Sequence, residues 1–487
     1  MRALPWMALL LCVGLAHAQS APSGYPLAVV TRDGIALRAQ ASDSSARHAL
    51  LWQGESLEVR GRTLDYLQVY DHRIERAGFV RASQVHLLPT GADDAPALLS
   101  VVRFLRDMPG SEALGIAYTA AYLKAAPGKA IGAEPFDALG VMAARLARQA
   151  STNRDKSAEQ RLSGQLEVVA DYGVVIHSID HDGRMTLCYD GEAFRRVMAL
   201  PATAMQKATA ALELTDPGCI DPALTPVQRD ALDTWRADLL ERVPHDGLPR
   251  YVLNRLHMRM ASVWAQVAFE RSRRQKPARP AASRALDELA AVDTHSLVER
   301  DRAAYNDAAM RVGASRWAAE PALEPGPGLH VVTAPGRPGE TCIKLVDRKH
   351  PASSPLLQRC TYGTVWASSA RANPRGTALA LAVQPMASWC ELWLFHRVGQ
   401  QWAVDVVPPA DDDPRLGYIE FAGWVPGGRL MLAAREARVD GRFVHRFEVL
   451  DMDTLMATRQ ADKPSSLSLF YRHEDAVWKS QTVSLRE

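Results

Sequence analysis

The sequence is poor in the residues that most often announce chemistry. It has six cysteines in 487 residues and no C-x-x-C pair, which excludes a thioredoxin-like redox site and a zinc ribbon. It contains no His-Glu-x-x-His, no Gly-x-Ser-x-Gly and no Walker-type glycine loop, so the signatures of zinc proteases, serine hydrolases and phosphate loops are missing. An excess of one charge is also lacking. The 57 basic and 55 acidic side chains leave a net of +2, and no basic face for nucleic acid is expected. After residue 18 no run of 18 apolar residues occurs, so no transmembrane segment is expected in the mature chain. None of these patterns calls for a cofactor or a metal.

What is present begins at the N-terminus. Arg2 precedes an apolar stretch over residues 3–15, and Ala16-His17-Ala18 has the small-x-small form of a cleavage site. The stretch is shorter than the roughly 20 residues needed to span a bilayer, so it reads as a cleaved signal peptide. Leu11 before Cys12 speaks against lipidation. The expected location is therefore periplasmic or secreted, after cleavage near Ala18. Five cysteines then enter an oxidising compartment, where pairing is expected and an odd count leaves one thiol over.

Residues 24–89 carry short strand candidates separated by turn signals: Val29–Thr31, Ile35–Arg38, Ala49–Leu51, Leu57–Val59, Tyr66–Tyr70 and, last, Gly78–Val80. Their order predicts a small β-barrel. The segment resembles a bacterial SH3 (SH3b) domain. Ile35-Ala36-Leu37-Arg38 stands where the family has V-N-V-R, and Gly54 where it has a glycine after the next strand. Tyr66-Leu67-Gln68-Val69 stands for W-x-x-V and Gly78-Phe79-Val80 for G-W-V, with Ser83-Gln84-Val85 closing the unit. The resemblance covers about 65 of 487 residues. Ala36, Tyr66 and Phe79 depart from the usual asparagine and tryptophans. The resemblance implies a module that contacts peptidoglycan or another envelope partner, with Arg38, Trp52, Tyr66 and Phe79 as candidate ligand-binding residues.

Residues 94–318 are alanine-rich and read as mainly helical. Helices are expected from Ala97, from Gly110-Ser111, from Pro135, from the Thr225-Pro226 cap to about Arg242, and over 248–272 and 283–311. The basic run Arg271–Arg279 reads as a solvated helix tail. Gly173–Ile179 and Arg184–Tyr189 form a hairpin about the turn signal Asp182-Gly183. Cys188 on its second strand and Cys219 in a later turn are an expected disulfide. Closing such a loop contributes about 3 kcal/mol.

Residues 319–328 are a linker, and 329–487 are β-rich with an internal repeat. Cys342–Asp347, Cys390–Phe395 and Arg446–Asp451 are equivalent strands, 48 and 56 residues apart. Asn373-Pro374 and Val425-Pro426 open matching turn-plus-strand elements that loosely resemble those of TolB-like propellers. Three to four blades are too few for an ordinary closed propeller, so an open β-fan is the alternative. Cys342 and Cys360 lie equally far from a turn near Pro351, which predicts a second disulfide; Cys342–Cys390 is the other pairing. The fold class expected is multi-domain α+β: an SH3-like barrel, a helical middle domain with one hairpin, and a propeller-like or fan-like end.

The remaining constellations read as structural. His177, Asp180, His181 and Asp182 sit at a hairpin tip, and Asp411-Asp412-Asp413 lacks a calcium-loop pattern. The C-terminal tryptophans Trp366, Trp389, Trp393, Trp402, Trp424 and Trp478 read as core between repeats. The functional expectation is a non-catalytic envelope binding or scaffold protein. A cell-envelope hydrolase targeted by the SH3b-like part, or a secreted interaction factor, are the alternatives.

Overall fold

The computed structural model describes residues 26–89, 91–152, 155–181, 183–321, 327–410 and 416–486. The signal-peptide reading, Asp182, the aspartates of 411–413 and part of the 319–328 linker lie outside them. The chain divides into two compact units, Met1–Ser178 with Leu187–Asp190 and Ile179–Thr186 with Gly191–Glu487.

The first unit opens with seven antiparallel strands: β1 Leu27–Val30, β2 Ile35–Arg38, β3 Arg47–Leu51, β4 Ser56–Thr63, β5 Tyr66–Asp71, β6 Arg76–Arg81 and β7 Val85–Leu88. Their order in the sheet is β3-β2-β6-β5-β4-β1-β7. Alternation along β2 and β6 turns Ile35, Leu37 and Val80 into a core shared with Leu51, Leu57 and Val69. The closing strand β7 was not expected. Its His86-Leu87 centre is exposed, so it carries little of the apolar signal of a strand, and pairing with β1 defines it. Four helices follow: α1 Ala95–Arg106, α2 Glu112–Ala125, α3 Glu134–Thr152 and α4 Lys156–Asp171. They share a core that includes Val29 and Leu88 of the sheet.

The hairpin pairs β8 Ile176–His181 with β9 Arg184–Tyr189, and Gly183 takes the positive φ expected of its turn. In the second unit come α5 Glu192–Ala199, α6 Ala204–Leu214, α7 Pro226–Glu241, α8 Arg250–Arg273, α9 Arg279–Ala290 and α10 Glu299–Ser315. Thr225 caps α7 in a capping box with Gln228. The single helix expected over 283–311 is two. Asn254 of α8 explains the break: its Oδ1 accepts the Asp293 amide at 3.0 Å, and its Nδ2 donates to the Asp293 carbonyl at 3.2 Å and to Ser296 Oγ at 3.0 Å. Those bonds hold the backbone between α9 and α10 in a non-helical path.

Three antiparallel meanders end the chain: β10 His330–Pro335, β11 Thr341–Val346 and β12 Leu357–Thr361; β13 Thr364–Ala372, β14 Ala378–Met386, β15 Trp389–Val398 and β16 Gln401–Val407; β17 Gly417–Trp424, β18 Leu430–Val439, β19 Arg442–Asp451 and β20 Ala457–Ala461. The repeat read in the sequence falls on β11, β15 and β19, the next-to-last strand of each meander. The second and third meanders join through a short parallel contact of β15 with β17, and the sheet does not close into a barrel. Trp366, Trp389, Trp393 and Trp478 are buried. Two short helices, α11 Ser468–His473 and α12 Ala476–Gln481, follow.

Cys342 and Cys360 face each other in register across β11 and β12 and are bonded, with Cα atoms 3.9 Å apart. Cys188 and Cys219 each take part in a disulfide, and Cys390 is free and buried. Among the described residues no helix is long and apolar enough to cross a membrane.

Beyond α12 the chain is anchored by buried charge. Glu420 of β17 accepts Arg316 Nη2 at 2.6 Å, Arg316 Nε at 2.9 Å, Trp478 Nε1 at 2.9 Å and Ser484 Oγ at 3.2 Å, and also bonds Thr482. Glu436 accepts Tyr418 OH at 2.8 Å and both Arg486 Nη atoms at 2.6–2.7 Å. Buried carboxylates satisfied this fully fix one register of the C-terminal segment against the sheet.

Candidate functional site

Strand pairing brings together three of the four ligand-binding candidates. Arg38 pairs with Phe79, Phe79 with Gln68, and Tyr66 with Arg81. Side chains directly opposite across a ladder share a face, as do residues two apart on one strand. Arg38, Phe79, Arg81, Tyr66 and Gln68 therefore share the face opposite Leu37, Val80 and Val69 of the core, and on that face Tyr66 is itself buried, 5% exposed.

A loop residue completes this group. Asp43 accepts the Tyr66 hydroxyl at 2.6 Å and Arg81 Nε at 3.0 Å, and also bonds Arg81 Nη2. The Arg81 hydrogen bond, with the Tyr66 hydroxyl second, lowers the Asp43 pKa to about 2. The Tyr66 hydroxyl is raised in turn, first by its bond to Asp43. Arg38 is only loosely engaged: its Nη1 donates to the Ser45 carbonyl at 3.0 Å, and its Nε stands 4.0 Å from Asp43. Phe79 is half-buried beside it. The surface thus offers a guanidinium next to an aromatic ring, backed by a neutralised Arg81–Asp43 pair. Asp43 and Arg81 were not singled out in the sequence. Arg81 was legible as the residue two after Phe79; Asp43 was not, because its loop reaches Tyr66 only through the fold.

Trp52 is elsewhere. It follows β3 at the Leu51↔Ile35 end of the β2–β3 ladder, whereas Arg38 lies at the other end, near Arg47. Its indole lies against the backbone of α4 at Gly164, where a Cβ would overlap the ring. Gly54, at φ +86°, meets α2 as closely: a Cβ there would come 2.5 Å from the Ala113 carbonyl oxygen. Three polar ties reinforce this seam. Gln165 Nε2 donates to Asp33 at 2.9 Å, Tyr172 OH to the Gly54 carbonyl at 2.7 Å, and Arg73 Nη1 to Glu167 at 3.4 Å.

Behind the seam lies a buried carboxyl pair. Glu55 accepts the Trp52 amide at 2.9 Å and Arg73 Nη2 at 3.0 Å. Asp71 accepts the Arg73 amide at 2.9 Å through Oδ1, and its Oδ2 is buried with no hydrogen-bond donor from a neighbouring group. Burial pushes the Glu55 pKa up to about 7, against the pull of the Trp52 amide and with a further rise from Asp71. A proton on Glu55 supplies the donor that Asp71 Oδ2 lacks.

Among the described residues the hairpin tip forms no grouping with metal-ligand spacing. His181 Nε2 meets the Gly218 carbonyl at 3.0 Å, and Asp180 accepts the Gly183 amide at 2.7 Å. Among the described residues the one grouping with ligand spacing is Glu340 with Cys342 and Cys360, and the disulfide removes both thiolates from it. Comparison with protein families, with curated proteins and with solved structures finds no match to this chain.

Proposed function

We propose that this is an exported, non-catalytic binding protein of the cell envelope that holds peptidoglycan through its N-terminal β-region, read as an SH3b-like barrel. The observation that carries the reading is the pairing of Arg38 with Phe79 on one face of the sheet, backed by buried Tyr66 and the Asp43–Arg81 pair. An under-used guanidinium beside an aromatic ring suits a short peptide with a free carboxylate: the charge takes the carboxylate and the ring takes the apolar part. The signal-like N-terminus supports reading such a module as exported to the compartment that holds stem peptides. The three meanders, with their repeat strands in equivalent positions, favour reading residues 329–487 as an open propeller-like fan offering an interaction surface.

Sedimentation with purified sacculi tests the proposal. The protein is expected in the pellet, and Arg38→Glu is expected in the supernatant with an unchanged circular dichroism spectrum. Release of soluble muropeptides would instead establish a hydrolase. Wild-type protein left in the supernatant would refute peptidoglycan as the ligand.

A further inference from the structure

A second concentration of charge lies in the 191–487 unit and does not depend on the N-terminal reading. Side chains of α6, α7, α8 and α10 line a cavity of about 400 Å³, within the range of small-molecule sites. Arg255 and Arg259 recur one turn apart on α8, Arg311 faces them from α10, and Arg236 enters from α7. Leu212 and Met258 give part of the wall an apolar character.

Most of the acids nearby are already engaged. Both oxygens of Asp301 lie 3.1 Å from Arg255 Nε. Asp307 accepts Arg438 Nε at 2.9 Å and makes no hydrogen bond to Arg311, one helical turn on, among the described residues. Arg236 donates to Asp233 at 2.7 Å and to the Thr215 carbonyl at 2.6 Å, with its Nε buried and unsatisfied. That leaves two cations. Arg259 donates only to neutral oxygens, the Leu212 carbonyl at 2.9 Å and Thr215 Oγ1 at 3.1 Å. Arg311 makes no ion pair among the described residues. Burial, ahead of every other influence, holds the Arg259 pKa down to about 10 and lowers that of Arg311, outweighing the charges of Asp216 and Asp307 respectively. One carboxylate is in the complementary position: Asp216 accepts the Gly218 amide at 2.9 Å and makes no ion pair within 4 Å among the described residues, its charge acting on Arg259 and Arg236 from further off.

The charges of the lining decide the ligand class. Four arginines stand against Glu213, Asp216, Asp301 and Asp307, so the cavity has no net charge with which to attract a dianion. Its unpaired groups are of both signs. We propose that this cavity binds a small zwitterion, an α-amino acid or a short peptide, with its carboxylate on Arg259 and Arg311 and its ammonium directed to Asp216.

Isothermal calorimetry on the purified protein tests this with glycine, alanine, glutamate, lysine and alanyl-alanine as probes, and with acetate and inorganic phosphate as charge controls. At least one zwitterion is expected to bind more tightly than either control. Arg311→Met is expected to weaken that binding by about tenfold or more, the worth of one hydrogen bond to a charged group. Its melting temperature without ligand should not fall, since it removes an uncompensated cation. Asp216→Asn keeps the acceptor for the Gly218 amide, and should weaken the zwitterion but not acetate. Tighter binding of phosphate than of every zwitterion, or no binding by any probe, would overturn the proposal. So would an Arg311→Met protein that melts earlier, or an Asp216→Asn protein that binds the zwitterion unchanged.

Discussion

The buried Glu55–Asp71 pair makes the stability of the first unit depend on pH in a direction opposite to that of an ordinary salt-bridged carboxylate. Unfolded, Glu55 ionises near its usual 4.5; folded, it does so near 7. Between those values the native state keeps a proton that the unfolded state has lost. The contribution is therefore fully present below pH 4.5 and declines as the pH rises through 7. At 1.36 kcal/mol per pH unit, the shift amounts to about 3 kcal/mol across the window. Other carboxyls titrate too, so the informative quantity is a difference between two proteins. Glu55→Gln keeps an acceptor for the Trp52 amide, supplies a permanent donor to Asp71 Oδ2 and cannot ionise. Urea unfolding of wild type and Glu55→Gln at pH 5 and pH 7.5 should show the variant gaining about 2–3 kcal/mol relative to wild type at the higher pH. Curves that stay parallel, with the same offset at both pH values, would refute the protonated pair.

Further outcomes follow from other contacts. Glu420→Ala leaves Arg316, whose side chain is 1% exposed, with only Glu320, and should cost about 3–5 kcal/mol by calorimetry. Replacing Cys342 and Cys360 by serine opens a loop of 18 residues and should cost about 3 kcal/mol; a non-reduced peptide map of the wild type should show the two joined. Cys390, whose thiol burial pushes up, should react with a thiol reagent only after unfolding. Gly164→Leu raises helix propensity in α4 yet drives into the Trp52 indole, so it should lower stability by about 1–3 kcal/mol and shift tryptophan emission.

The legible parts of the sequence were those in which local chemistry coincided with the final structure. The Thr225-Pro226 cap starts α7, Gly183 turns the hairpin, and the spacing of Cys342 and Cys360 about Pro351 gives their register. The repeat on β11, β15 and β19 was visible because each strand fills the same place in its meander. Long-range interactions decided the rest. Nothing local to Asp293 announces the helix break that Asn254 imposes from 39 residues away. Strand β7 is defined by its partner, and α4 carries no strong signal at Lys156–Ser157 beyond its Asp155 cap. Among the site candidates, Arg38, Tyr66 and Phe79 share a face as strand alternation requires. The position of Trp52 depended on Gly164, more than 100 residues on, and could not be read from the barrel segment.

The seam at Trp52, Gly54 and Asp33 has a consequence for how the N-terminal sheet can be used. A domain that travels between proteins as an independent cassette needs a surface finished on all sides. This one leaves an indole, a glycine backbone and an aspartate to be covered by helices α2 and α4. Cut out at residue 89, it would present that patch to solvent and lose the lid over its buried carboxyl pair. Sheet and helices thus form one folding unit, and the Trp52 end of the ladder is occupied by helices while Arg38 lies at the other end.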